Sequence, residues 1–284
     1  RYYPDAMFAG QGSAFWPVVG EPLGFYFSFM KDYMALSGSL TDVVSWHYYP
    51  QQSRRGLIAS RRAAPSRLLN PDNLNEAAHW GGQIRALRDR HAEGKPVWLG
   101  ETGNAQFGGE PGLSDRYLAG LWWLDQLGLL ARTGHDVIVR QTLSGMDYGM
   151  IDPDTLTPAP DYWNSLLWKR FMGRDVYGVR VEGAEKLRAY AHSHPERKGV
   201  LSLLLINLDH ESSVLAHLPK VFKGPVEVMQ LGTEDLFSKD LYLNGKKLEL
   251  VDDALPEIKG RIWKNESGAF SVKPLTGVFL TGRI

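Results

Sequence analysis

The sequence has no cysteine among its 284 residues. This absence excludes disulfide bridges, thiolate zinc sites and a cysteine nucleophile, although it does not fix the compartment in which the protein works. Long hydrophobic runs are also missing: the longest have the length of a β-strand, far below the about 18 apolar residues that a membrane-spanning helix needs. We therefore expect no insertion into a membrane.

No excess of charge of either sign is present, because 32 Lys and Arg balance 32 Asp and Glu. This balance argues against a nucleic-acid partner, which requires a basic surface. A hydrophobic content of 43% and a charged content of 23% exclude a disordered chain. Positive charge is nevertheless concentrated in one 14-residue stretch, at Arg54, Arg55, Arg61, Arg62 and Arg67. The stretch is either a local anion-binding patch or a solvated loop.

The first part of the sequence alternates strand-length apolar runs with longer helical patterns, which is typical of a parallel α/β fold. Three continuous apolar runs predict strands buried on both faces, at Asp42 to His47, Pro96 to Gly100 and Asp136 to Thr142, and a further strand is expected at Arg1 to Met7. Helices are expected at Pro22 to Ser37, Leu74 to His91, Ser114 to Thr133 with Ser114 as N-cap, and Asp161 to Met172.

From Val176 onward short alternating segments and an Asn244-Gly245 turn indicate antiparallel strands. Strands are expected at Gly178 to Glu182, Leu187 to His194, Val200 to Asn207, Pro225 to Leu231 and near Val278. We predict an α/β fold: residues 1–173 form the second half of a (β/α)8 TIM barrel, and residues 174–284 form an antiparallel β-sandwich domain.

Polar side chains follow the predicted parallel strands, at the end where barrel enzymes carry their reactive groups. Glu101 comes directly after Trp98-Leu99-Gly100 and is the best candidate for a nucleophile. The alternative is that Glu101 forms only a structural ion pair with Arg140. His47 could orient a carboxylate or be a hydrogen-bonded structural residue, and no second His stands at metal-ligand spacing from it. The pair His192 and His194 is expected at the surface.

The segment Trp98-Leu99-Gly100-Glu101-Thr102 resembles the nucleophile strand of glycoside hydrolase family 79, the heparanase and β-glucuronidase group of retaining barrel enzymes. The resemblance extends over nearly the whole chain, through Val44 to Tyr49, Leu113-Ser114-Asp115, Trp123 to Leu129, Val139-Arg140-Gln141, Pro160 to Trp163, Asn244-Gly245 and Val251-Asp252-Asp253.

This resemblance implies roles for individual residues. Glu101 would be the nucleophile, and Tyr49 or its neighbour Tyr48 the phenol that hydrogen-bonds it. His47 is a further candidate catalytic residue because of its place at the strand end, not because of the resemblance. Substrate-binding roles would fall to Tyr148 on the glucuronate carboxylate, to backbone N–H groups of the loop at Phe107, Gly108 and Gly109, and to the amides of Gln11 and Gln141. Phe107 replaces a Gly that some members have. The arginine-rich loop exceeds what the animal members of the family carry there. Its position beside the site, rather than the resemblance, makes Arg54, Arg55, Arg61 and Arg62 candidates for contacts to a sulfated polymer.

One family motif is missing, the Asn-Glu-Pro that carries the general acid/base. The chain begins at Arg1 without an initiator Met or a leader, so we expect a separate N-terminal polypeptide to carry that motif. The resemblance implies a retaining glycosidase acting on β-D-glucuronosyl linkages, needing no metal and no cofactor. It does not separate endo- from exo-action, and the arginine cluster favours endo-cleavage of heparan sulfate. Exo-removal of terminal glucuronate and non-catalytic binding of sulfated glycans are the alternatives. The substrate implies a secreted, periplasmic or cell-surface location.

Overall fold

A computed structural model of the chain describes residues 3, 5–13, 29–57, 59–218 and 221–284. The described helices are α1 Phe29–Ser37, α2 Pro65–Leu68, α3 Pro71–His91, α4 Tyr117–Arg132 and α5 Pro160–Phe171, with a short 3-10 turn at Gly38–Leu40. None of these described helices is long and apolar enough to cross a membrane. Helix α3 begins where the Asn70 side chain accepts hydrogen bonds from two backbone N–H groups and Pro71 occupies the first turn.

The described strands in the first part of the chain are β1 Ala9–Gln11, β2 Val43–Tyr48, β3 Gln51–Gln52, β4 Val97–Thr102, β5 Ala105–Gln106 and β6 Val137–Arg140. Those that follow are β7 Val176–Tyr177, β8 Leu187–Ser193, β9 Val200–Asn207, β10 Val214–His217, β11 Val226–Gly232, β12 Tyr242–Leu243, β13 Lys246–Lys247, β14 Arg261–Trp263, β15 Ala269–Val272 and β16 Thr276–Arg283.

A four-stranded parallel sheet in the order β1-β2-β4-β6 positions the site. Beyond the carboxyl ends of β2 and β4, the chain continues into the short parallel pair β3-β5. The loops that follow β2 and β4 therefore leave the sheet side by side. This arrangement confirms the prediction of a parallel α/β region.

The second part of the chain forms a large antiparallel sheet, in the order β13-β12-β11-β16-β9-β8-β7 with β14 paired to β11, and a separate β10-β15 pair. Alternation along β9 divides its side chains between two cores. Leu203 and Leu205 pack with the β10-β15 pair, whereas Leu204 and Ile206 pack with α4. The antiparallel sheet is thus covered on one face by a two-stranded sheet and on the other by the helix that follows β4.

Helix α4 is the common core element, since residues from Tyr117 to Leu130 are all buried. Its Asp125 is fully buried and forms an ion pair with Arg188 of β8 at 2.7 Å. Gly128 faces Tyr190, whose ring would lie 2.3 Å from a Cβ added there, so a side chain at this position would separate the helix from the sheet. The limits 1–173 and 174–284 for two domains stay a prediction.

Several predicted elements differ from the structure. The first strand lies at Ala9–Gln11 rather than within residues 1–7, of which 1, 2 and 4 lie outside the described residues. The helix expected from Pro22 is described only from Phe29. No strand is found at 178–182, because pairing with β8 involves Val176–Tyr177 instead. Ser114 is not the N-cap of α4: its hydroxyl contacts Asn104 and the Glu110 N–H group, and Arg116 is the cap residue.

Two predictions about burial are wrong. Strand β6 is not buried on both faces, since Val137 and Val139 are 36% and 42% exposed; within the described part of the chain it is an edge strand. His192 is not at the surface but 2% exposed, with its Nδ1 2.7 Å from the Gly173 carbonyl oxygen. Its place on β8 against Trp168 explains this burial.

Candidate active site

The site begins with an irregularity in the pairing of β2 and β4. Trp46 pairs with Leu99 and His47 with Glu101, so Gly100 is an extra residue between them. Such bulges re-aim side chains and are common beside active sites. A Cβ at position 100 would lie 2.3 Å from the Ser45 hydroxyl oxygen, so the glycine allows the two strands to approach. The bulge places Glu101 directly opposite His47.

Glu101 receives a hydrogen bond from Tyr49, the residue that follows β2. The Tyr49 hydroxyl donates to Glu101 Oε1 at 2.6 Å, and His47 Nδ1 lies 3.6 Å from Glu101 Oε2. Burial and this hydrogen bond raise the pKa of Tyr49 well above its usual value, so the phenol stays protonated and donates. Burial lowers the pKa of His47 below 6.5, and the Glu101 charge opposes this change.

Of the two phenols that the sequence left open, Tyr49 contacts Glu101 and Tyr48 does not. Tyr48 is 1% exposed and lies in the core beside Trp46, with ring centroids 5.8 Å apart. Burial raises the pKa of Tyr48, with the nearby Arg61 charge opposing it. Side chains alternate along a strand, which sends these neighbours in opposite directions.

Tyr148 joins the same cluster from the loop after β6. A Cβ at Gly103 would lie 3.0 Å from the Tyr49 ring and 3.3 Å from the Tyr148 ring, so the two phenols flank Gly103. The Arg140 guanidinium lies 5.7 Å from the centre of the Tyr148 ring, within the range of a cation–π contact. Arg140 pairs with Asp161 at 2.8 Å rather than with Glu101, which leaves the Glu101 carboxylate to Tyr49 and His47.

The Gly-rich loop after β4 lies against the Tyr148 loop. Phe107, Gly108 and Gly109 all have positive φ angles, of 69°, 85° and 86°, which costs a non-glycine residue roughly 1–2 kcal/mol. The Asp147 N–H group donates to the Gly108 carbonyl oxygen at 2.9 Å. Among the described residues, the Gly108 and Gly109 N–H groups donate no hydrogen bond to a backbone acceptor.

The two glutamines lie at the ends of the outer strands of the parallel sheet. Gln11 ends β1 beside Ser45, and the adjacent Gly12 lies against the His47 ring. No partner is found among the described residues for the buried Gln11 Nε2. Gln141 follows β6, and its N–H group donates to the Thr102 carbonyl oxygen at 2.9 Å.

The predicted substrate-binding arginines have partners inside the protein. Arg54 pairs with Glu110 at 2.6 Å, Arg55 with Asp147 and Arg61 with Glu76. Arg62 donates to the Gly56 carbonyl oxygen at 3.3 Å. Three of the four positive charges are thus balanced locally. Sequence reasoning missed Glu76, Glu110, Asp147 and Asp161, since only the fold brings these carboxylates to the arginines.

The described residues include no group of three or more His, Cys, Asp or Glu side chains that could hold a metal ion. The arrangement instead offers one carboxylate that accepts a hydrogen bond from the Tyr49 phenol and lies 3.6 Å from the His47 imidazole, with the Tyr148 phenol close to Tyr49. A held carboxylate of this kind can act as a nucleophile.

The chain is similar to several known proteins. The family model described as "Glycosyl hydrolase family 79, N-terminal domain" matches residues 8–128. Heparanase of Rattus norvegicus is 36% identical over 248 residues, covering 84% of this chain and 45% of the relative. Heparanase-like protein 1 of Arabidopsis thaliana is 36% identical over 69% of this chain and 35% of the relative. Inactive heparanase-2 of Mus musculus is 32% identical over 88% of this chain and 45% of the relative.

The chain belongs to glycoside hydrolase family 79. It spans less than half the length of these curated relatives, 45% in the case of the rat protein.

Solved structures show the same fold at low identity. A 4-O-α-L-rhamnosyl-β-D-glucuronidase from Fusarium oxysporum gives a TM-score of 0.66 at 18% identity, over 89% of this chain and 56% of that one. A family 44 endoglucanase from Clostridium thermocellum gives 0.64 at 15% identity, over 98% of this chain and 57% of that one. In both cases this chain corresponds to little more than half of the other protein.

Proposed function

We propose that this chain is part of a retaining glycoside hydrolase that cleaves β-D-glucuronosyl linkages, with Glu101 as the nucleophile. The observation that carries the proposal is the placement of Glu101 at a bulge, where Tyr49 donates to it at 2.6 Å and His47 lies 3.6 Å away. Membership of family 79 and relatives named heparanase support the glucuronide linkage as its target.

The general acid/base is assigned to a separate N-terminal polypeptide that carries an Asn-Glu-Pro motif. Retaining enzymes place their two carboxyl groups about 5 to 5.5 Å apart, and one of them is Glu101. Among the described residues the parallel sheet has four strands and is open, with β1 and β6 at its edges, which supports the assignment of residues 1–173 to half of a (β/α)8 barrel. The antiparallel sheet with the β10-β15 pair on one face supports a β-sandwich.

In the proposed mechanism Glu101 attacks the anomeric carbon while the partner's acid protonates the leaving oxygen. Water activated by that same residue then releases the sugar from Glu101. The Tyr49 hydroxyl holds the carboxylate in position, while Tyr148 and the Gly108 and Gly109 N–H groups bind the sugar carboxylate. The amides of Gln11 and Gln141 bind the substrate from the ends of the outer strands.

Endo-cleavage of heparan sulfate is the favoured action, because several relatives are named heparanase. Exo-removal of terminal glucuronate is the second candidate, and the pairing of Arg54, Arg55 and Arg61 with carboxylates favours it. A polymeric substrate would place the protein outside the cell, in the periplasm or on the cell surface. Size-exclusion analysis of digested heparan sulfate separates the two actions: endo-cleavage lowers the mean chain length at once, whereas exo-cleavage releases monosaccharide first.

The experiment that tests the proposal is hydrolysis of 4-nitrophenyl β-D-glucuronide by the native assembly of this chain with its acid-bearing partner. Glu101→Gln should abolish turnover, and Glu211→Gln, an exposed residue far from the site, should not change it. Heparin binding by an assembly that cleaves no glucuronide would favour the third candidate, a non-catalytic glycan-binding protein; one relative is named inactive heparanase-2.

A further inference from the structure

Three loops at the carboxyl ends of β2, β4 and β6 meet at one side chain, that of Arg55. This residue lies in the loop after the β2 segment. Its guanidinium Nη1 donates to the Gly109 carbonyl oxygen at 2.9 Å, in the loop that follows β4 and β5. The same nitrogen forms an ion pair with the Asp147 carboxylate, in the loop after β6. Arg55 therefore links loops that are distant in the sequence.

The two loops that Arg55 joins also touch each other at the backbone. The Asp147 N–H group donates to the Gly108 carbonyl oxygen at 2.9 Å. A Cβ at Gly109 would lie 2.9 Å from the Tyr148 backbone nitrogen, so the loops are packed as closely as backbone atoms allow. The groups assigned to the sugar carboxylate, the Tyr148 side chain and the Gly108 and Gly109 N–H groups, are in or next to this contact.

Arg55 also changes the charge beside these groups. Asp147 directly precedes Tyr148, and its side chain is 27% exposed. An unpaired carboxylate at this position would repel a sugar that itself carries a carboxylate. Arg55 neutralises the Asp147 charge, and Asp147 in turn balances the positive charge of Arg55. Arg55 therefore differs from an arginine that binds a substrate anion directly.

We propose that Arg55 is a positioning residue of the uronate subsite, which it builds by linking Gly109 and Asp147; this inference rests on the proposed function. Arg55 selects for a carboxylate-bearing sugar through the Gly-rich loop and Tyr148, without contacting the substrate. Both side chains are partly exposed, Arg55 at 44% and Asp147 at 27%, so we expect the fold to remain intact when the pair is removed.

The test uses Arg55→Gln and Asp147→Ala, alone and combined, in the native assembly, with 4-nitrophenyl β-D-glucuronide and 4-nitrophenyl β-D-glucoside as substrates. Arg180→Gln is the matched control, because Arg180 pairs with Glu182 at 3.2 Å on an exposed surface elsewhere. We expect both single variants to raise KM for the glucuronide about tenfold with kcat changed less than threefold. KM for the glucoside should stay within about twofold, and the double variant should be no worse than Arg55→Gln.

Two outcomes overturn the inference. If Asp147→Ala lowers KM for the glucuronide, Arg55 is a direct anion ligand that Asp147 restrains. If Arg55→Gln behaves like Arg180→Gln, the contact is a surface ion pair without a role in the subsite. Hydrogen exchange gives a second readout: the Asp147 amide, which donates to the Gly108 carbonyl oxygen, should exchange faster in Arg55→Gln than in Arg180→Gln, and equal rates contradict the link. A wild type that cleaves no glucuronide defeats the proposed function itself, whereas an unchanged KM in an active enzyme defeats only the role of Arg55.

Discussion

Tyr49 and Glu101 are 52 positions apart in the chain, yet the phenol donates a hydrogen bond of 2.6 Å to the carboxylate. The contact depends on the bulge at Gly100, which shifts the register so that Glu101 lies opposite His47. A carboxylate held in this way loses little orientational freedom when it attacks, and such positioning is a large part of the catalytic effect in enzymes.

The first prediction concerns Tyr49→Phe, which keeps the ring and removes the donated proton. Because hydrogen bonds to charged groups contribute about 1.5–3 kcal/mol, kcat for 4-nitrophenyl β-D-glucuronide should fall by about 10- to 100-fold. Tyr177→Phe, in an exposed position on β7, serves as the control and should leave kcat unchanged. Equal kcat values for the two variants would show that the Tyr49 hydroxyl does not assist Glu101.

The second prediction compares two glycines with the same backbone strain. Gly109 has φ +86° and no room for a Cβ beside the Tyr148 nitrogen, whereas Gly112 has φ +71° and no atom within 4 Å of such a Cβ. Gly109→Ala should therefore raise KM for the glucuronide by at least tenfold, and Gly112→Ala should cost only stability. If both variants raise KM alike, strain rather than the contact with Tyr148 governs this loop.

The third prediction concerns the buried pair of Arg140 and Asp161, whose side chains are 4% and 2% exposed. Burial raises the pKa of Asp161, and the Arg140 charge opposes this change. Removing one partner leaves an uncompensated buried charge, so Arg140→Met should lower the free energy of unfolding by about 3–5 kcal/mol. In urea unfolding, the double variant Arg140→Met/Asp161→Leu should show a smaller decrease in the free energy of unfolding than Arg140→Met alone. A larger loss in the double variant would contradict this account.

The fourth prediction is a pH dependence of stability caused by His135. Burial lowers the pKa of His135 from 6.5 to about 4, and its Nε2 accepts a hydrogen bond from the Trp46 indole at 3.1 Å. Between these two pH values the unfolded chain binds a proton that the folded protein does not, so acidification from pH 6.5 to 4 destabilises the fold. His135 should contribute about 3 kcal/mol to this decrease in the free energy of unfolding.

Urea unfolding of the wild type and of His135→Gln across this pH range measures that contribution. At pH 6.5 the variant should have a lower free energy of unfolding than the wild type. On acidification to pH 4 its free energy of unfolding should fall by about 3 kcal/mol less than that of the wild type. Parallel curves for the two proteins would mean that His135 is not the group that titrates.

Sequence patterns predicted the elements that carry the site better than the contacts within it. The strand Val200–Asn207 was predicted at its observed limits, and β2, β4 and β6 lie within two residues of the predicted limits, because continuous apolar runs are a strong signal. The bulge at Gly100 has no such signal, since a glycine at a strand end fits several conformations.

The arginine cluster shows why the rest could not be predicted. A run of arginines after a strand indicates an anion, but the sequence does not say whether that anion is a substrate or the protein's own Glu76, Glu110 or Asp147. Which anion each arginine meets depends on segments that are distant in the sequence and approach one another only in the fold. His192 was misplaced for a related reason, because its burial depends on contacts with Gly173 and Trp168.

The central claim is that Glu101 is the nucleophile, and covalent trapping tests it most directly. The native assembly is incubated with a glucuronic-acid-configured mechanism-based inactivator, and the mass of this chain is measured under denaturing conditions before peptide mapping. The account predicts one adduct, on the peptide that contains Glu101, and none in Glu101→Gln. An adduct on another carboxylate, or no adduct in an assembly that hydrolyses glucuronides, would contradict it.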